Sequence, residues 1–182
     1  MEFMNELILW PDSNFYLKTG LCALESLCIN KSVRKEYLFV DFSCLNIRCF
    51  INDKWIILLK KAKRKIILIC DSVLEPLAEY WRIRERKISA VIYSDFSLEK
   101  TIGVFNAAHY ISHIPSDKKI NRLDRVEIKY INLSLKGLDP MCISKALYLP
   151  IKKVYQLKPM ISRKLGRDIT KVLFNQCPPV IK

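Results

Sequence analysis

Residues Ile151 to Gly166 read IKKVYQLKPMISRKLG. Val154, Leu157, Ile161 and Leu165 recur at the three- and four-residue spacing of one helix face, so the spacing predicts a helix with a single docking stripe. At about 100° per residue, Lys152, Gln156, Pro159 and Arg163 fall on the opposite face, flanked by Lys153, Tyr155, Lys158 and Lys164. Such side chains suit a nucleic-acid surface: Gln156 and Lys152 can bond base edges, and Lys158, Arg163 and Lys164 can neutralise phosphates. A merely solvated amphipathic helix carries the same stripe, so the neighbouring segments must decide. Pro159 conflicts with the pattern, because an interior proline deletes one backbone hydrogen bond and clashes with the preceding turn, at a cost on the order of 3 kcal/mol unless the helix bends. A kink is expected there, with the groove-reading part ending near Lys158.

Upstream, LDRVEIKYINLSLKG opens on Asp124 and Glu127, a D-x-x-E arrangement related to the capping box, and closes at Gly137, which suits the residue after a helix. DPMCISKAL begins with Asp139 as N-cap and Pro140 at the first helical position. The break YLP then leads into the opening stretch, and a last helix, RDITKVLFN, stops before Cys177, Pro178 and Pro179. A helix, a turn of about three residues and a second, basic helix form the layout of a helix-turn-helix DNA reader, placed at about 139-158.

Charge agrees with that placement. The chain of 182 residues carries a net charge of +13, and residues 121-182 hold 13 Lys and Arg against 4 Asp and Glu. A basic C-terminal part beside a nearly balanced remainder points to a polyanionic partner; a solvated or membrane-facing surface is the alternative that charge alone leaves open. The longest apolar stretch, KWIILLKKAKRKIILIC, is broken by six cations in seventeen positions, so no membrane span is expected. The N-terminus carries Glu2 and Glu6 instead of a basic flank, and a cytoplasmic protein is expected. Four glycines in the whole chain exclude a glycine-rich phosphate loop.

The first 112 residues have a different rhythm. Four aliphatic runs end in aspartate, LILWPD (Asp12), YLFVD (Asp41), IILICD (Asp71) and AVIYSD (Asp95), and helical patterns alternate with them. Alternation of this kind predicts an α/β fold with a parallel sheet, whose chemistry gathers beyond the carboxyl ends of the strands. Read alone, the four aspartates allow a Mg²⁺-dependent phosphoryl-transfer enzyme or nuclease, although aspartates also end strands simply to cap the next helix. The division is thus 1-112 for the sheet domain, 113-122 for a linker containing IPSDKKINR, and 123-182 for the all-α DNA-binding domain.

Leu123 to Gly166 resembles the LuxR-type helix-turn-helix without a gap: Glu127, Gly137, Ile143, Leu147, Val154 and the closing RKLG sit where that family has them. The resemblance departs at Pro150 and Lys153, where the family has Ser or Thr, and at Pro159. It implies a DNA-binding transcriptional regulator with Lys152, Lys153, Tyr155, Gln156, Lys158, Arg163 and Lys164 as contacts, and no enzymatic activity or cofactor. In LuxR-type response regulators the preceding domain is a receiver, and the resemblance places Asp41 at the phosphoacceptor position. The companions of that chemistry fail, since Pro11 stands beside Asp12, Ser94 replaces a lysine, and only 28 residues lie between Asp12 and Asp41, which leaves little room for a second strand. A degenerate receiver working independently of phosphorylation is expected, with Asp41 ending its strand as a structural residue.

ILWPDSNFY, YLFVDF, LAEYWRIRERKISAVIYSDFS and KKVY are similar to the enterobacterial regulators of fimbriae, capsule and motility, the common-pilus (Mat fimbriae) regulator and the Vi-capsule activator among them. That likeness implies control of surface structures, and a homodimer or a heterodimer with a receiver-bearing regulator such as the Rcs response regulator. An adaptor that touches no DNA is the third reading. Seven cysteines without a Cys-x-x-Cys pair read as reduced thiols and zinc is not expected, His109 and His113 read as linker packing, and YWRIRERK reads as either a partner surface or packing.

Overall fold

The computed structural model describes residues 9–27, 36–110 and 120–174. Its elements are β1 (Leu9–Trp10), α1 (Phe15–Leu27), β2 (Tyr37–Phe42), a 3-10 turn (Cys44–Asn46) leading into α2 (Ile47–Phe50), α3 (Lys54–Lys60), β3 (Lys65–Cys70), α4 (Glu75–Arg84), β4 (Ile88–Tyr93), α5 (Leu98–Tyr110), α6 (Arg125–Leu135), α7 (Pro140–Leu147), α8 (Ile151–Leu165) and α9 (Ile169–Phe174). The four strands form one parallel sheet in the order β1-β2-β3-β4. This is the expected receiver-like sheet followed by an all-α region. β1 pairs directly with β2 through Leu9 and Phe39, so among the described residues no strand stands between them.

Side chains alternate across the strands and separate two apolar layers. Leu38, Val40, Phe42, Ile66, Leu68 and Cys70 face the layer that holds α3 and α4, whereas Tyr37, Phe39 and Ile67 meet Leu21 of α1 and Phe105 of α5. In β4 one additional residue, Ser89, sits at a register shift opposite Ile66 and Ile67, so Ile88 and Val91 face the same layer although three positions apart. Burial on both faces explains why these strands read as continuous aliphatic runs.

Trp81 is 1% exposed and its Nε1 donates to the Phe50 carbonyl at 2.8 Å. Of the two readings of YWRIRERK, packing is therefore the one this residue follows. Buried Glu79 takes Arg82 Nε and Nη2 at 2.9 Å each and the Tyr93 hydroxyl at 2.5 Å, which ties α4 to β4. The Arg82 guanidinium is held above its ordinary pKa, first by the hydrogen bond to Glu79.

The helical region joins the same core. The apolar layer under α4 continues through Leu123, Ile128 and Ile131 to Val154 and Ile161, and the Leu123 amide donates to the Pro76 carbonyl at 3.1 Å. His113 and most of the expected linker lie outside the described residues, as do Cys28 and Cys177; the His109 side chain is likewise not described. The cysteines that are described, Cys22, Cys44, Cys49, Cys70 and Cys142, are free thiols. Among the described residues no helix is long and apolar enough to cross a membrane.

Candidate nucleic-acid interface

α6 starts on a complete capping box: the Asp124 carboxylate accepts the Val126 and Glu127 amides at 2.7 and 2.8 Å, and Glu127 Oε2 accepts the Asp124 amide at 2.7 Å. Gly137 follows with φ 78°, a conformation that favours a residue without Cβ. Asp139 then caps α7 by accepting the Met141 and Cys142 amides at 2.8 and 3.0 Å. The hydrogen bond from the Cys142 amide is the main cause that holds the Asp139 carboxyl below its ordinary pKa.

The turn between α7 and α8 is Tyr148, Leu149 and Pro150. Ser144 and Leu149 bond each other twice across it, from the Leu149 amide to the Ser144 carbonyl at 3.0 Å and from the Ser144 hydroxyl to the Leu149 carbonyl at 2.6 Å. α8 then buries Val154, Leu157, Ile161 and Leu165, the stripe read from the sequence. Lys152, Lys153, Tyr155, Gln156, Lys158 and Arg163 are all exposed. Among the described residues Lys152, Lys153, Gln156 and Arg163 make no side-chain hydrogen bond or ion pair, so their donors point to solvent.

Two expectations about α8 meet the structure. First, α8 runs unbroken through Pro159 to Leu165, so the proline does not break the helix. Proline sits on the exposed side, where the Tyr155 carbonyl left without its amide partner is on the side open to water, which reduces the cost of the lost bond. Second, Lys164 is not an outward phosphate contact. Its Nζ lies 2.7 Å from Glu127 Oε2 and 3.0 Å from the Arg122 carbonyl, with the lysine side chain 17% exposed and the glutamate 0%. Glu127 thus closes the cap of α6 and anchors the end of α8 together, a long-range pairing that helical spacing within α8 does not reveal.

The structure also adds a residue. Past Pro159 an open groove runs between the end of α8 and the start of α9, and Arg167 lines it with Lys158 and Arg163. Arg167 lies beyond Gly166 and so outside any α8 helical wheel; the cationic run on both sides of that glycine was the only signal for it.

The strand-end aspartates do not assemble. Asp41 is 5% exposed and accepts the Asn14 side-chain amide at 3.0 Å. Asp71 accepts the Cys44 and Leu74 amides at 2.5 and 2.9 Å, and Asp12 pairs with Lys18 at 2.8 Å. Among the described residues no three His, Cys, Asp or Glu side chains come together as a metal-ligand group. The two-metal reading of Asp12, Asp41, Asp71 and Asp95 therefore loses its geometric basis.

A parallel receiver-like sheet that shares its core with a helix-turn-helix defines the architectural class. The chain belongs to the EcpR N-terminal domain family, whose model matches residues 4–108. It is 30% identical over 168 residues to the uncharacterized protein YqeH of Escherichia coli K12, with 90% of this chain and 78% of that one covered. Among solved structures it resembles a chain of RcsB, from a structure of two RcsB dimers bound to two parallel DNAs, with a TM-score of 0.57 at 16% identity over 93% of this chain and 94% of that one. At that identity the likeness defines the fold, a receiver-like parallel sheet followed by a helical region. A second RcsB–DNA complex aligns with a TM-score of 0.45 at 18% identity, covering 86% and 79% of the two chains.

Proposed function

We infer that this chain is a sequence-specific DNA-binding transcriptional regulator in which α8 enters the major groove. One observation carries the reading: α8 is buried on one stripe and presents Lys152, Lys153, Gln156 and Arg163 on the other, without side-chain partners among the described residues. Cations held in water with no internal task are available to displace counterions from a phosphate backbone, and Gln156 offers the donor and acceptor pair that reads an adenine edge. Tyr155, Lys158 and Arg167 extend this face. The RcsB chains whose fold it shares were solved on DNA, which supports the same partner here.

The finer parts of the reading are these. Control of surface structures such as fimbriae or capsule is the regulatory role we assign, supported by the family match together with the motifs quoted above. Independence from phosphorylation is supported by Asp41, whose carboxylate is buried against Asn14 and, among the described residues, belongs to no group of three metal-ligating side chains that would hold Mg²⁺. The working division is a sheet domain over 1-112, a linker over 113-122 and a DNA-binding domain over 123-182, acting as a homodimer or with a receiver-bearing regulator so that two recognition helices meet two half-sites.

The test is selection of duplexes from a randomised pool by the full chain, followed by fluorescence anisotropy at several salt concentrations. Gln156→Ala is expected to cost about 1–3 kcal/mol and relax the preference at one position, and Lys152→Ala to weaken all duplexes alike if it meets phosphate. Binding that ignores both salt and these substitutions overturns the reading, and failure to select any duplex overturns it in favour of the adaptor.

A further inference from the structure

Among the described residues Tyr148 is the one non-glycine residue with positive φ, at φ 55° and ψ 41°, and its side chain is 94% exposed. Both features cost the free protein something. The left-handed conformation is strained for a residue with a Cβ, and glycine or asparagine would relieve it. A large ring in water gains no packing energy in return. The position is nevertheless rigid, because the paired bonds between Ser144 and Leu149 fix the turn and the Tyr148 amide donates to the Lys145 carbonyl at 3.3 Å.

The left-handed conformation serves the fold, since Tyr148 caps the end of α7 with its amide on the Lys145 and Ser144 carbonyls. The ring does not, and a tyrosine left in water where glycine or asparagine would cap without strain points to a contact outside the fold. The place of this turn identifies the contact. In a helix-turn-helix the first helix crosses the DNA backbone and the N-terminal end of the second enters the groove, so the residue between them lies at the edge where backbone gives way to groove. Exposed Lys145 precedes the turn and exposed Lys152 follows it. We propose that Tyr148 is a DNA backbone contact, its hydroxyl donating to a phosphate oxygen and its ring lying against the adjoining deoxyribose, so that the turn sets the depth at which α8 enters the groove. Tyrosine hydroxyls are among the side-chain donors that bind phosphates in this way. The proposal rests on the DNA-binding function inferred above.

Tyr148→Asn separates the ring's use in the fold from its use on DNA, because asparagine tolerates the left-handed turn. The probe is a fluorescein-labelled duplex selected from a random pool by the wild-type chain. The expected result is a melting temperature equal to or above wild type, affinity reduced roughly tenfold, which is about 1.4 kcal/mol, and an unchanged salt slope, since an uncharged hydroxyl releases no counterion. Tyr148→Phe, which keeps the ring, is expected to lose less. If Tyr148→Asn binds as wild type does while Lys152→Ala is weakened, the Tyr148 contact is refuted and the DNA-binding reading stands. Affinity that falls only in step with the melting temperature likewise refutes it, and failure of the wild-type chain to select any duplex removes both.

Discussion

Replacing Lys164 by methionine tests the long-range pairing that joins the start of α6 to the end of α8. In the wild-type chain Glu127 is fully buried, its Oε2 shared between the Asp124 amide and the Lys164 ammonium while Oε1 has no hydrogen-bond partner among the described residues. Lys164→Met keeps the aliphatic stem and leaves the carboxylate with one backbone donor and no counter-charge. Removing one member of a buried pair costs about 3–5 kcal/mol. At roughly 2–4 °C per kcal/mol for a chain of this size, the melting temperature is expected to fall by about 6–20 °C. The reverse substitution is milder. Glu127→Gln retains an oxygen for the Asp124 amide, and Lys164, being 17% exposed, still reaches water and the Arg122 carbonyl. Glu127→Leu combined with Lys164→Met restores much of the loss, because an apolar pair in the same space carries no desolvation cost. Denaturant titration followed by circular dichroism gives the complete double-mutant cycle. A Lys164→Met cost under about 1 kcal/mol, the range of exposed ion pairs, or a Glu127→Gln cost as large as that of Lys164→Met, refutes the assigned geometry.

Other outcomes follow from the same structure. Pro159→Ala restores the bond to the Tyr155 carbonyl and is expected to stabilise the chain in denaturant titration by less than the roughly 3 kcal/mol of a buried interior proline, because that carbonyl is on the side open to water. Asp124→Ala breaks the capping box and is expected to cost about 1–2 kcal/mol by the same measurement. The Asp139 carboxyl is held low first by the Cys142 amide, and that of Asp168 first by the Thr170 hydroxyl. Because both folded pKa values lie below the ordinary one, their contribution is complete above the usual carboxylate range and is lost as pH falls through the depressed values. Stability of Asp139→Asn measured against pH is expected to lack this acid-side decline. Asp41→Asn is expected to leave DNA affinity unchanged with or without acetyl phosphate, and mass spectrometry of the treated wild-type chain to show no added phosphoryl group.

Local signals were legible wherever one element carried its own cause. Asp124, Gly137, Asp139 and Pro140 mark helix ends by short-range bonding and φ preference, and the stripe from Val154 to Leu165 marks the buried side of α8, so the helix-turn-helix followed from the residues in order. The alternation of aliphatic runs with helical patterns gave the parallel sheet, because strands buried on both faces must be apolar throughout. Tertiary structure alone decided the rest. It turned Lys164 inward, since the partner that captures it is Glu127, at the far end of a different helix. It carried α8 through Pro159, because the unpaired carbonyl lies on the wet side, and it brought Arg167 beside Lys158 and Arg163 across a turn. It also gave Asp12, Asp41 and Asp71 each its own lysine or amide, as with Asp41 and Asn14, whereas the sequence shows only that acids end the strands. Helix caps and stripes depend on neighbours within about one turn; the bonds of a charged side chain depend on whatever the folded chain places beside it.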